Sequence, residues 1–389
     1  MNRHAKTRAF LLAAALCDVA SVQAQSNVTL YGTVDDAISY VNNQNGSSNV
    51  YLRHGNLYAS KFGLRGNEDL GGGTRAIFDL QAGFDANTGA AVSAGRLFNR
   101  QAYVGLANDT YGTLTMGRQY TPYMLFVGAL AANSWLTGAT GSHPGDYDSL
   151  NTTVRINNAL TYVSPVFKGV SASALYGFSG IAGSPGKGQS VSAALRYTGG
   201  PLSLAAGYLR LNNTGRTAGF DPNASGSFAI SAVNRGYASA RAVQNIAAAG
   251  NYTLGDFTFG LNYTNVQYLA GGTAAFANTA VFNTYGALAA WRATPEFDLA
   301  AAFSYTMAAK ANGITSAARY RQYSLRESWH LSKRTTLYAL QAYQRAGGQT
   351  LGARGNVGGA VATVGDSQNA SPSSTNAQFV GMAGISMLF

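Results

Sequence analysis

The stretch Ser60-Lys61-Phe62-Gly63-Leu64-Arg65-Gly66-Asn67-Glu68-Asp69-Leu70-Gly71-Gly72-Gly73-Thr74-Arg75-Ala76-Ile77-Phe78-Asp79-Leu80-Gln81-Ala82-Gly83-Phe84 decides the fold. It reads as two strands joined by a glycine-rich turn. In the first arm Phe62 and Leu64 alternate with Lys61, Gly63 and Arg65. In the second, Phe78, Leu80, Ala82 and Phe84 alternate with Ile77, Asp79, Gln81 and Gly83. Side chains of a strand point to opposite faces in turn, so each arm has one largely apolar and one largely polar face. Asn67–Gly73 supplies side-chain turn formers and residues free to take positive φ. The remainder of the chain repeats the unit: alternating strand, short turn, alternating strand, long connection.

Six further turns follow: Ala107–Gly112, Ser164–Gly169, Thr198–Pro201, Thr253–Asp256, Ala293–Glu296 and His330–Arg334. Each is rich in the residues that make tight turns. Their flanks alternate. Phe257, Phe259, Leu261 and Tyr263 oppose Thr258, Gly260, Asn262 and Thr264. Phe297, Leu299, Ala301, Phe303 and Tyr305 oppose Asp298, Ala300, Ala302 and Ser304. Val170, Ala172, Ala174, Tyr176 and Phe178 form a third set, and Phe379, Gly381, Ala383, Ile385, Met387 and Phe389 close the chain. Alanine blurs the pattern over Asn245–Tyr252 and Asn283–Arg292. Polar connections span about 41–56, 85–97, 121–154, 179–190, 212–244, 269–282, 309–319 and 346–376. Seven short turns at one end and eight long loops at the other require sixteen antiparallel strands.

Composition sets the class. Charged residues are 11% of the 389, against roughly 25% in an ordinary soluble domain, while Gly (47), Tyr (23) and Phe (18) are abundant. Arg3, Lys6 and Arg8, then the apolar Ala9–Leu16, then Val22-Gln23-Ala24 read as a secretory signal peptide over residues 1–24. Leu16 is the wrong size for lipoprotein cleavage before Cys17, the only cysteine. Removing three basic residues and Asp18 takes the formal net charge from +11 to +9. Residues 25–389 are therefore exported without a disulfide framework, and no later apolar run is long enough for a membrane helix. In hydrocarbon every backbone N–H and C=O must be paired, so amphipathic strands there have to close into a barrel. About 23 residues per strand and connection are enough for a ~10-residue span. Sixteen strands leave an aqueous interior.

Several segments resemble the trimeric general porins of Gram-negative bacteria, particularly the beta-proteobacterial branch. They are Val28-Thr29-Leu30-Tyr31-Gly32, Lys61–Gly73, Leu97-Phe98-Asn99-Arg100-Gln101-Ala102-Tyr103-Val104-Gly105-Leu106, Tyr111-Gly112 with Gly117-Arg118-Gln119, Leu331-Ser332-Lys333-Arg334-Thr335, and the terminal Phe389. The resemblance implies an all-β, sixteen-stranded transmembrane barrel in the outer membrane, with short periplasmic turns and long extracellular loops. It also implies a homotrimer, passage of small hydrophilic solutes, and a third loop, about Thr121–Val154, folded inward after strand Gly112–Gln119. The family's basic ladder falls on Lys61, Arg100 and Arg155, and its acidic loop side on Asp146 and Asp148. Lys61 replaces the usual arginine, and Gln81 stands where many relatives carry an acid. That change makes the constriction more positive unless Asp79, on the same face, compensates. Phe389 belongs, in this family, to the signal read by the outer-membrane assembly machinery.

Each assignment has a plainer counterpart. Inward Lys and Arg can be solvated wall residues, which is how Arg196 and Arg326 read. Asp146 and Asp148 can be a capping pair within their own loop. Arg118 shares parity with Leu114 and Met116 and reads as an interface or loop-anchoring residue. Tyr31, Tyr162, Tyr197, Tyr263, Trp291 and Phe389 suit interfacial girdles. His54, His143 and His330 are too scattered for metal-ligand spacing, no nucleophile elbow or phosphate loop is present, and positive charge is dispersed. An enzyme, a cofactor, a metal and a nucleic-acid partner are therefore not expected; lipopolysaccharide contact is. The expectation is a diffusion porin with modest anion preference. A substrate-specific channel for an anionic nutrient and a non-pore surface adhesin are the alternatives.

Overall fold

The structure, a computed structural model, describes residues 27–93, 95–184, 187–213, 231–366 and 372–389. The leader expected over 1–24 lies outside them. Strands run as β1 (Asn27–Gln44), β2a (Ser47–His54), β2b (Lys61–Gly71), β3 (Thr74–Gly83), β4 (Gln101–Asn108) and β5 (Gly112–Tyr120). They continue as β6 (Arg155–Val163), β7 (Val170–Gly177), β8 (Ser190–Gly199), β9 (Leu202–Asn212) and β10 (Ala242–Leu254). The last six are β11 (Phe257–Leu269), β12 (Ala280–Arg292), β13 (Phe297–Ala308), β14 (Arg319–His330), β15 (Thr335–Gly347) and β16 (Ala377–Leu388). Each pairs antiparallel with the next, and β16 pairs with β1 from Thr33↔Leu388 to Val41↔Val380, so the sheet closes. Both β2 segments pair along β1, β2a with its second half and β2b with its first. They are one strand, and the barrel has sixteen.

The seven turns stand where the sequence puts them, although the first is narrower. Asn67, Glu68 and Asp69 are strand residues opposite Ile77, Ala76 and Arg75, and only Gly72 and Gly73 turn. The first long connection is corrected. Residues 41–56 are almost wholly strand, crossing between β1 and β2a through Asn45 (φ 54°) and Gly46 (φ 112°). Asn-Gly with both residues at positive φ is the two-residue hairpin that matches strand twist. The polar run around it resembles a loop only because these side chains sit above the apolar belt.

The interruption comes later, between β2a and β2b, and one carboxylate holds it. Asp35 accepts from the backbone N–H groups of Asn56 (2.6 Å), Leu57 (3.2 Å) and Tyr58 (3.2 Å) and from the Tyr338 hydroxyl (2.9 Å). Those are the amides that lost their ladder partners where the strand breaks, and buried amides without acceptors are costly. At the seam Gly32 and Phe389 exchange backbone hydrogen bonds of 2.9 and 3.1 Å, and the Phe389 ring covers Gly32. A Cβ on Gly32 would come within 2.3 Å of that ring.

Alternation sorts the wall as expected: Phe257, Phe259, Leu261 and Tyr263 are exposed outside while Thr258, Gly260, Asn262 and Thr264 are buried inside. Tyr31 departs from its expected girdle place and points inward. The apolar core lies within the barrel. There Tyr123, Val127, Tyr147 and Leu150 of the third loop pack with Tyr237, Phe276 and Leu351 of later loops against Leu209, Tyr268 and Phe282 of the wall. Tyr237 stacks on Tyr268 at 5.1 Å between ring centres. One side of the lumen is thereby filled by folded loops.

Asp35→Ala leaves the Asn56 and Leu57 amides and the Tyr338 hydroxyl buried without their acceptor, at about 1–3 kcal/mol for each group. The temperature at which the barrel loses its heat-resistant gel migration should fall clearly, and less for Asp35→Asn, which keeps one acceptor oxygen. Unchanged melting of Asp35→Ala would show that the break is held by something else.

Candidate functional site

Three expected cations converge on one wall. Lys61 is the first residue after the break in β2 and faces inward, with Phe62 and Leu64 outside. Arg155 opens β6 opposite Tyr120, its guanidinium carbon 5.3 Å from the Tyr120 ring centre. Arg100 precedes β4. Its amide donates to the Gln81 carbonyl (3.1 Å) and its Nε to Gln81 Oε1 (3.2 Å). Tyr120 is itself buried, 6% exposed, against Arg155. Strict alternation would send either Arg100 or Gln101 outward. Both turn inward because Arg100 lies just before the strand and escapes its pleat. Arg100 and Arg155 are only 7% and 8% exposed.

A second layer lies beside the cations, and Asp79 is its centre. Tyr31 donates to Asp79 Oδ1 (2.5 Å), Gln101 Nε2 to Asp79 Oδ2 (3.3 Å) and Gln81 Nε2 to the Tyr31 oxygen (3.0 Å). Arg65 lies 5.1 Å over the Tyr31 ring. Gln81 thus links Arg100 to the layer that holds Asp79. Sequence reasoning missed Tyr31, Gln101, Tyr120 and Arg65 as members of this site. Arg65 was legible, since it shares parity with Lys61.

The structure does not bring Asp146 and Asp148 to the cations. Both are inside the anchoring of their own loop, 2% and 0% exposed. Asp146 accepts from the Asn151 amide (2.9 Å) and the Thr153 hydroxyl. Asp148 Oδ2 meets His143 Nδ1 at 2.5 Å and the Thr264 hydroxyl at 2.9 Å, while Asn245 donates to its backbone carbonyl at 2.8 Å. The expectation of two loop acids facing the ladder is corrected: a carboxylate on a loop packed into a barrel wall needs donors, and these two take the nearest ones.

Further contacts tie the same loop down. Two short helices, α1 (Pro122–Phe126) and α2 (Ala132–Leu136), shape it, with the Thr121 hydroxyl capping α1 at Met124 (3.2 Å). Gln322 Nε2 donates to the Thr140 and Ser142 carbonyls (2.9 and 2.8 Å), and Tyr268 to the Tyr147 carbonyl (3.3 Å). From the last loop, the Gly365 carbonyl accepts the Gly145 amide (2.7 Å) and Asp366 accepts from Asn151 (3.1 Å). Arg118 braces neighbouring segments, donating to the Asn99 carbonyl (2.7 Å) and to Asn157. Arg326 is more than a solvated wall residue, since it pairs with Asp298, which also meets His330 at 2.6 Å.

A family model described as Gram-negative porin matches residues 9–349. An outer membrane porin protein of Bordetella pertussis is 28% identical, over 86% of this chain and 94% of its own. Outer membrane porin protein 32 of Delftia acidovorans is 31% identical, over 51% of this chain and 58% of its own. Among solved structures, an anion-selective porin from Comamonas acidovorans superposes with a TM-score of 0.69 at 23% identity, over 94% of this chain and all of that one.

Burial, reinforced by the charge of Asp148, holds the Asp146 carboxyl well above the usual range. A raised value means that Asp146 favours the folded loop fully at pH below the ordinary carboxylate pKa. That contribution is lost as pH rises through the raised one. Asp146→Asn removes this dependence while keeping an acceptor for Asn151. The ratio of wild-type to Asp146→Asn cleavage by chymotrypsin within 121–154 should grow as pH increases. A ratio that stays flat would discard the buried acid as a load on the loop.

Proposed function

The chain belongs to the Gram-negative porin family, and we propose that it works as a passive outer-membrane diffusion channel whose modest anion preference is set by Lys61, Arg100 and Arg155. The observation that carries this reading is the one-sided charge of the constriction. The three cations share a wall, and among the described residues neither Lys61 nor Arg100 makes an ion pair. The loop's two acids are turned into its own anchoring instead of across the lumen. Asp79 lies on the cationic wall, held by Tyr31 and Gln101, and offsets part of the charge.

A unit charge ~5 Å from a passing ion contributes about 0.8 kcal/mol at the dielectric of water, or about fourfold in partition. Salt screens the effect over roughly 8–10 Å. Such magnitudes bias a flow of ions without filtering it. Small hydrophilic solutes follow the same aqueous path, narrowed by 121–154 and the loops packed on it.

The outer surface supports a homotrimer. The outward residues of β1–β5 are mainly aliphatic, among them Leu30, Val34, Ile38, Leu52, Leu64 and Leu106. Aromatic residues crowd the outward face elsewhere, with Tyr263, Tyr285, Trp291, Tyr323, Trp329 and Tyr343 all exposed. Tyr and Trp girdles mark lipid contact, so the aliphatic face is assigned to the neighbouring subunits. Phe389, exposed at the seam, is assigned to recognition by the outer-membrane assembly machinery, and lipopolysaccharide to the loop-end rim.

Reversal potentials in a planar bilayer under a KCl gradient test the assignment. Wild type should favour chloride, the preference should shrink as salt rises, and Arg100→Ser should move the potential toward zero while stepwise openings persist. Equal permeability of both ions, or a potential indifferent to Arg100, would remove these residues from the selectivity role.

A further inference from the structure

We infer that the outer wall of the barrel carries a site for the phosphate groups of an outer-leaflet glycolipid, built by Arg319, Arg321 and Arg345. The inference rests on the reading of the chain as an outer-membrane barrel with its long loops outward. All three arginines are exposed and share the outward parity of Tyr323 and Tyr343. Arg321 and Arg345 are direct cross-strand partners on β14 and β15, and Arg319 is two residues further toward the loop end. Like charges placed directly opposite one another on a sheet destabilise it, and among the described residues none of the three forms an ion pair. The sheet therefore holds a concentrated positive charge that its own side chains leave unanswered.

Position identifies what answers it. Arg321 lies 5.5 Å over the ring of Tyr305, its register partner on β13. Tyr323 and Tyr343 also face outward, next along the strands toward the short-turn end. Tyrosine rings at such a level sit among headgroups, so the guanidinium groups just above them meet the phosphate layer. A recess of about 460 Å³ opens there, bordered by Ser316, Gly348 and Asn376 as well as the arginines. Arginine binds phosphate through paired N–H donors, and a cluster of them fits a multiply phosphorylated headgroup better than a single charge. The site lies on the outer wall, on the opposite face of the sheet from the lumen, and β16 alone stands between β15 and β1, where the aliphatic face begins.

The test uses purified full-length barrel in mild detergent and lipid A, the phosphorylated glycolipid anchor of lipopolysaccharide, as the probe. Wild type should bind it, and Arg321→Gln with Arg345→Gln should bind about 30-fold more weakly, taking the contribution of each basic residue at an anionic surface as additive. Enzymatically dephosphorylated lipid A should bind wild type no better than intact lipid A binds the double variant. That arm decides the matter even if the variant folds poorly. Equal binding by the variant, equal binding of the dephosphorylated lipid, or saturation by inorganic phosphate at the same concentration would each overturn the proposal. Reversal potentials of the double variant should match wild type. A wild type without channels would defeat the porin reading and leave the lipid result to stand or fall separately.

Discussion

Backbone pairing is the constraint on which everything else here depends. A strand in hydrocarbon has nowhere to send an unmet N–H or C=O, so β16 must return to β1. The last residue, Phe389, exchanges backbone hydrogen bonds with Gly32 and lays its ring over that glycine. The same demand explains Asp35. Where β2 leaves the ladder between His54 and Lys61, the freed amides of Asn56, Leu57 and Tyr58 find one carboxylate in place of a neighbouring strand. The break costs little because the lost partners are replaced within a few ångströms, and it sets Lys61 at the point where the strand resumes.

Closing sixteen strands creates an interior that side chains of the wall cannot fill, and the loops use it. The 121–154 loop is pinned by polar contacts to β10, β11 and β14 and by an apolar cluster around Tyr147, Phe282 and Tyr268. The last loop then packs on the same segment through Gly365 and Asp366. Anchoring of this kind holds the constriction in one shape, and Arg155 opens β6 where the loop ends, between Val154 and Ile156 of the same apolar cluster.

Much of this was legible from period-two alternation alone. The faces of β7, β11, β13 and β16 were read correctly, because outside a barrel the lipid admits only apolar side chains. The reading failed where that pressure is absent. The tip of the β1–β2a hairpin lies at the loop end, so Asn42, Asn43, Gln44, Ser47 and Ser48 carry no apolar signal even though they are strand. Tyr31 was placed in a girdle by its residue type, while its partner Asp79 lies 48 residues away. Asp146 and Asp148 stood out only as the two acids of their loop. Their orientation is settled by Asn151, Thr153, His143 and Thr264, none of which announces itself in the sequence as a donor to them.

Charge is arranged differently at the two levels of the lumen. Toward the short-turn end Asp298 is shared by Arg326 and His330, so cation and anion are neutralised within one cluster. At the constriction the arrangement is different: Arg155 lies against the Tyr120 ring, and the acid on that wall, Asp79, is tied to Tyr31 and Gln101. The Tyr120 ring gives the Arg155 guanidinium a face to lie on without setting an acid beside it. Gln81 is likewise neutral, accepting from Arg100 where an acid would have cancelled part of the charge. The wall thus keeps its cations in place with neutral partners, which holds the geometry and preserves the field that a passing anion meets.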